Sequence, residues 1–288
     1  MKTYLDCIPC FVKQALKVGR LSTDDEQIIK DILDNVGSLI KNIPMESSPP
    51  RIAMYVYSEI KKITGNPDPF RKEKIRHIKK AQKLYPHMKE LLDESDDRLF
   101  TAVRLAIAGN IIDLGTQKTF NIEEDILKSL HQELTINDYQ SFKEQIQKSK
   151  KILYLGDNSG EAVFDKLLIE EIDKPVTFVV REKPVINDIT MQEALEIGID
   201  KVAEVISSGT SAPGTVLGTC SLEFLDIFHN ADMIISKGQG NYEALSNIDT
   251  PIYFLLKAKC YVISNHIGVS EDSLILMKNK KCKFNDIA

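Results

Sequence analysis

Leu153-Tyr-Leu-Gly-Asp157-Asn158-Ser-Gly160-Glu161 decides how the rest of the chain is read. Residues 152–155 are an apolar run of strand length, Gly156 and Gly160 punctuate a turn, and residues 161–172 carry a helical pattern. A strand that ends in a carboxylate beside an amide and then enters a helix is how a site begins on an open α/β sheet. Ligands of such sheets bind outside the carboxyl ends of the strands.

Downstream, short β-rich runs alternate with helical ones, and residues 176–180, 202–206, 233–235, 252–255 and 261–263 are the further predicted strands. This alternation predicts an α/β fold of three layers, α/β/α, with a mostly parallel, Rossmann-like sheet. Upstream, nearly every periodic segment is helical. Leu5, Ile8, Phe11, Val12, Ala15 and Leu16 make one apolar stripe; Ile28, Ile29, Ile32, Leu33, Val36, Leu39 and Ile40 make a second, with Thr23 as its expected N-cap. Residues 52–64 read as a third helix, 72–92 as a basic helix that Pro86 should kink or break, and 99–114 as the most apolar helix. Two more, at 122–134 and 138–147, complete this part. The expected division is a helical domain at 1–148 and a metal- and phosphate-binding α/β domain at 149–288.

With 43% hydrophobic and 27% charged residues, the 288-residue chain has an ordinary globular composition. A formal charge of -5 gives no general attraction for nucleic-acid phosphates, and no apolar run reaches the roughly 20 residues that span a bilayer. Neither nucleic acid nor a membrane is therefore an expected partner. The first residues lack the apolar core of a secretion signal and the five cysteines are unevenly spaced, so the cytoplasm is the expected compartment.

Four predicted strands deliver polar groups to one edge of the sheet. Asp157 and Asn158 follow the first, Arg181, Asn187 and Asp188 the second, Ser207, Ser208, Gly209 and Thr210 the third, and Lys237, Gly238, Gln239, Gly240 and Asn241 the fourth. Carboxylate and amide oxygens suit a hard divalent cation such as Mg²⁺ or Mn²⁺, shared with a substrate phosphate. The Ser/Gly loop offers backbone N–H donors, and Lys237 offers a compact positive charge for a phosphate oxygen. Taken singly, each piece is an ordinary turn, helix cap or solvated side chain; convergence at one sheet edge is what makes them a candidate site.

Leu155-Gly-Asp-Asn-Ser-Gly-Glu161, Val180-Arg-Glu-Lys-Pro-Val-Ile-Asn-Asp188, Ala231-Asp-Met-Ile-Ile-Ser-Lys-Gly-Gln-Gly-Asn-Tyr-Glu243 and Phe254-Leu-Leu-Lys-Ala-Lys-Cys260 together resemble the damage-control phosphatase family, long described as domain of unknown function 89. Asp6-Cys-Ile-Pro-Cys-Phe-Val-Lys-Gln-Ala15 and Gly109-Asn-Ile-Ile-Asp113 extend the resemblance, and the Cys-x-x-Cys start is similar to the prokaryotic branch in particular. The resemblance implies a metal-dependent phosphatase acting on phosphate monoesters of small, often damaged or surplus metabolites such as sugar phosphates, with one divalent ion (Mn, Co, Ni or Mg). It implies metal ligands at Asp157, Asn158 and Asp188, with Lys237 completing the catalytic set as the phosphate contact. Arg181, Asn241 and the N–H groups near Ser208 and Gly209 are the further expected phosphate-binding groups, since phosphoryl transfer chiefly requires electrostatic positioning. Asp157 is expected as a ligand and not a nucleophile, because Ser159 stands where such phosphatases place a second acid. The expected partner is a small phosphorylated metabolite, with self-association left open.

Two alternatives are an adenosyl-cofactor-dependent methyltransferase and a non-catalytic metal- or metabolite-binding module. The former would need a Gly-x-Gly turn that Gly156-Asp-Asn-Ser-Gly160 does not supply. Cys7 and Cys10 lie one helical turn apart with no second pair to complete a zinc site, so packing or structural use is expected of them. His77, His87, His131, His229 and His266 show no metal spacing, and only His266 falls near a predicted strand end. Asn110 and Asp113 are candidates to face the cleft from the helical part, and Asp232 should be structural, at the opposite end of the sheet.

Overall fold

The computed structural model describes residues 1–109, 127–128, 130 and 132–279. Its longer helices are α1 (Cys7–Ser22), α2 (Glu26–Ile40), α3 (Pro49–Thr64), α4 (Arg71–Asp93), α5 (Arg98–Ala108), α6 (Tyr139–Lys148), α7 (Ala162–Glu171), α8 (Met191–Ile197), α9 (Leu222–His229), α10 (Gly238–Leu245) and α11 (Tyr261–Ile267). Its strands are β1 (Leu134–Asn137), β2 (Ile152–Leu155), β3 (Val176–Val180), β4 (Glu204–Ser207), β5 (Met233–Lys237), β6 (Ile252–Lys257) and β7 (Leu274–Lys278).

Side chains alternate between two cores along these strands, as a pleat covered on both faces requires. Ile152, Tyr154, Phe178, Val180, Met233, Ile235, Tyr253 and Leu255 pack with α4 to α8. Leu153, Leu155, Val179, Ile234, Phe254 and Leu256 pack on the other face with α9, α10 and α11. The result is the expected α/β/α arrangement. Strand order is β1-β7-β6-β5-β2-β3-β4, parallel except for the antiparallel β6–β7 pair. The chain winds from β2 towards β3 and β4 on one side and towards β5 and β6 on the other, so the β2–β5 boundary is the topological switch point, where ligands of such sheets bind.

Helices α1, α2 and α3 form a separate core through Phe11, Ala15, Val18, Ile32, Val36, Ile52, Val56 and Ile60. Phe70 and Val185 join it, the latter from the loop that leaves β3, so this layer is seated over the carboxyl ends of the strands.

Several sequence expectations are corrected. The sheet recruits residues 134–137 as an edge strand, so sheet structure begins upstream of 148; four residues are too few for a period-two signal to stand out. Residues 261–263 open α11, and the strand beyond β6 is β7, which α11 and a turn with Gly268 and Asp272 at positive φ deliver antiparallel. Helix α4 runs unbroken through Pro86, because Pro86 and Gln82, whose carbonyl loses its partner, both face water. Asp25, not Thr23, caps α2, accepting from the N–H groups of Gln27 and Ile28. Asn110, Asp113 and His131 lie outside the described residues.

Candidate functional site

Between the helical layer and the carboxyl ends of the strands lies a cleft of about 590 Å³. Asp157, Asn158, Asn187 and Asp188 line its floor; Phe11, Tyr57, Phe70 and His77 wall it on the helical side, and Lys259 and Cys260 border it after β6.

The floor is assembled by backbone pairing between the turns that follow β2 and β3. Asn158 and Asp188 form an isolated antiparallel bridge. Ser159 N–H and Oγ both donate to the Asn187 carbonyl, at 2.9 and 3.0 Å, and Ile189 N–H donates to the Asp157 carbonyl at 2.8 Å. Two segments thirty residues apart thus present carboxylate, amide and carboxylate side by side. The second turn is strained: Ile186, β-branched, has a φ of 39°. Its apolar neighbours in the helical layer and Lys61, which donates to the Pro184 carbonyl, hold it there. Under the first turn α4 approaches so closely that a Cβ at Gly160 would lie 2.8 Å from that of His77.

Behind the floor are two buried charge networks. Arg181 donates through Nε to Asp188 Oδ2 at 2.8 Å and through its terminal nitrogens to Thr215 Oγ1 at 3.2 Å and Asn241 Oδ1 at 3.1 Å. Asn241 in turn donates to the carbonyls of Gly156 and Lys237, at 3.2 and 2.8 Å, which ties the ends of β2 and β5 together. In the second network Lys237 Nζ donates to Glu161 Oε1, to Asp165 Oδ1 at 2.6 Å and to the Ala106 carbonyl at 2.8 Å. Tyr154 donates its hydroxyl to Asp165 at 2.7 Å.

These networks engage several of the residues expected to bind phosphate. Lys237, Arg181 and Asn241 converge on the site but stand behind its floor, fully buried and engaged with protein partners. Ser208 N–H donates to the Val180 carbonyl and Gly209 N–H to Ser207 Oγ, so the Ser/Gly loop spends these donors on itself and on β3. The physical reason is a pair of buried acids at the start of α7: Glu161, which precedes its first residue, and Asp165, one turn in, require a cation, and Lys237 supplies it. The sequence signal for this pairing was that Glu161 and Asp165 fall one turn apart beside the apolar run Ala162, Val163 and Phe164. Lys259, carried by the loop after β6, is a cation that borders the cleft and acts on Asp157, as Lys17 of α1 borders it from the helical layer, and strand-end reasoning that stopped at β5 missed Lys259.

Asp232 is structural as expected, accepting from Lys150 and Lys151 N–H groups at 2.8 and 2.9 Å at the opposite end of the sheet. Cys7, Cys10 and Cys260 are free thiols that all line the cleft, and burial pushes the Cys7 and Cys10 pKa values up. His266 receives or gives a hydrogen bond to Tyr242 at 2.8 Å and is not among the cleft residues.

Residues 3–275 match the model of the damage-control phosphatase ARMT1-like domain. The chain belongs to the damage-control phosphatase family. A damage-control phosphatase from Pyrococcus horikoshii is 36% identical over 287 residues, spanning 97% of this chain and 99% of the relative. One from Archaeoglobus fulgidus is 36% identical over 279 residues, spanning 93% of this chain and 96% of the relative. The crystal structure of a DUF89 family protein from Pyrococcus horikoshii superposes with a TM-score of 0.91 at 34% identity and covers 97% of this chain and 100% of that one.

Membership in the damage-control phosphatase family implies a divalent cation, and the residues present fit one. Among the described residues no three His, Cys, Asp or Glu side chains are grouped to hold an ion, so the set at the floor is two carboxylates and an amide, hard oxygen donors of the kind Mg²⁺ and Mn²⁺ take. Four buried carboxylates, Asp157, Glu161, Asp165 and Asp188, face two buried cations, Arg181 and Lys237, which leaves negative charge in excess. Burial, then the neighbouring carboxylates of Asp188 and Glu161, hold the Asp157 pKa well above the usual range. A divalent cation relieves that repulsion.

Proposed function

We infer that this chain is a divalent-metal-dependent phosphatase that hydrolyses phosphate monoesters of small metabolites, damaged or surplus ones among them. The observation that carries the reading is the floor itself: Asp157, Asn158 and Asp188 brought side by side, beneath a cleft at the switch point of the sheet. Asp157, Asn158 and Asp188 would hold the cation, which is Mn, Co, Ni or Mg in our reading. When bound, it supplies positive charge beside the phosphoryl group and acidifies water.

The chain's own groups supply the rest. Arg181 fixes Asp188 by a charge-assisted hydrogen bond, and Asn241 fixes Arg181. Lys259 offers a positive charge to the phosphoryl oxygens from the cleft side, the task expected of Lys237. Tyr57, Phe70 and His77 close the helical side and keep bulk water from the floor, where fixed charges act most strongly. Among the described residues no helix is long and apolar enough to cross a membrane. A cytoplasmic phosphatase of the prokaryotic branch, with its Cys-bearing start, completes the reading.

The test uses the full chain stripped of metal by a chelator, then supplied with Mn²⁺, Co²⁺, Ni²⁺ or Mg²⁺ and assayed on an aryl phosphate and a panel of sugar phosphates. Hydrolysis that requires added cation and disappears in Asp157→Ala is expected. Absence of hydrolysis with all four cations, or full activity in Asp157→Ala, sinks the reading.

A further inference from the structure

A carboxamide has a donor end and an acceptor end of nearly the same shape, and only its oxygen can ligate a hard cation. Which end of Asn158 faces the cleft is therefore a question of what its nitrogen is given to bind. Asn158 Nδ2 donates to Asp157 Oδ2 and to Glu161 Oε2, both at 3.1 Å. Glu161 presents its other oxygen to Lys237 Nζ, and Lys237 is anchored by Asp165 at 2.6 Å and by the Ala106 carbonyl at 2.8 Å. Glu161, Asp165 and Lys237 are each at most 1% exposed.

We propose that Lys237 is a positioning residue: through Glu161 it fixes the Asn158 carboxamide with nitrogen inward and oxygen towards the cleft, and so sets the affinity of the site for its cation. This rests on the metal-site reading given above. The chain Lys237–Glu161–Asn158 runs from the last residue of β5 to the turn after β2, across the switch point, so it couples the two halves of the sheet to one ligand. A pair that served only to dock α5 and α7 on the sheet would account for the Ala106 and Asp165 contacts. It would not account for the second oxygen of Glu161 being spent on the amide of Asn158. Partners that orient a ligand in this way are worth roughly 10–100-fold in metal affinity.

The test measures Mn²⁺ affinity of the full chain from the paramagnetic resonance signal of free Mn²⁺, with thermal unfolding of the metal-free protein alongside. In Glu161→Gln the ammonium takes the amide oxygen of the new side chain, whose NH₂ then opposes the NH₂ of Asn158 and turns it over. Mn²⁺ affinity should fall roughly 10–100-fold. Adding Lys237→Met releases the glutamine to present its oxygen to Asn158, and affinity should recover in the double variant whatever happens to its unfolding temperature. If affinity simply follows unfolding temperature, if E161Q binds as the wild type does, or if the double variant is no better than E161Q, the proposal is overturned. Should the variants not fold, wild-type protein with ¹⁵N-labelled asparagine decides: slow exchange of the Asn158 side-chain protons, with and without Mg²⁺, supports the proposal, and exchange as fast as in an exposed asparagine overturns it. Wild-type protein that takes up no Mn²⁺ overturns the metal-site reading as well, which separates the two failures.

Discussion

The carboxylate of Asp157 lies against the backbone of Gly238: a Cβ at 238 would fall 1.9 Å from Asp157 Oδ2, and the residue holds a φ of 76°. Two independent constraints, a left-handed backbone and a close approach, thus demand glycine where β5 passes into α10. Gly238→Ala is expected to displace the carboxylate and lower kcat/KM by at least about a hundredfold, the scale of an ångström's misplacement of a reacting or ligating group. Kinetics on an aryl phosphate check this, and near-normal turnover in G238A would show that Asp157 is not held by this contact.

Arg181 is buried among three acceptors, Asp188, Thr215 and Asn241. Arg181→Met leaves the Asp188 carboxylate buried without its ion-pair partner, and urea unfolding should report a loss of about 3–5 kcal/mol. Arg181→Lys keeps the charge but not the planar fork that reaches all three acceptors, so most of the loss should remain.

Lys259 borders the cleft, and its charge opposes the upward shift of the Asp157 pKa. Lys259→Ala should raise KM for a phosphate monoester by roughly tenfold or more, the worth of one charge-assisted contact. Mn²⁺ affinity should hold or rise, since a nearby positive charge has been removed. A fall in metal affinity with KM unchanged would assign Lys259 to the floor instead of the phosphate.

Glu243 projects from α10 into the cleft wall, where burial pushes its pKa up to about 7, against the pull of a hydrogen bond from Gln239 at 3.3 Å. The folded state therefore holds a proton that the unfolded chain releases near the ordinary glutamate value. Stability from this group is fully present at low pH, falls as pH rises towards 7, and is lost above it. Glu243→Gln should match the wild type in unfolding free energy below about pH 4 and exceed it at pH 8 by on the order of 3 kcal/mol. Parallel unfolding curves at the two pH values check the sign.

Much of this architecture is legible in the residues. The runs at 152–155, 176–180 and 252–255 are apolar but for Thr177 because both faces of the sheet are covered, and that pattern survives without knowledge of partners. Asp157, Asn158 and Asp188 could be placed at strand ends for the same reason: where a parallel strand stops, its polar residues emerge at one edge. Less legible were β1 and β7, short strands at and beside an edge, whose place in the sheet is given by their neighbours and not by period.

The sequence by itself determined the order of elements from β2 to β6 and the strand-end position of Asp157 and Asn158, since alternation and strand-end position are local properties of the chain. Only the tertiary structure decided which cation faces the cleft. Lys237, Arg181 and Lys259 all follow or end strands, yet two of them are drawn inward by Glu161, Asp165 and Asp188, carboxylates they meet only once the chain has folded. A buried carboxylate must find a cation because desolvation of an unpaired charge costs more than the fold can bear, and that demand is met in space, not along the sequence.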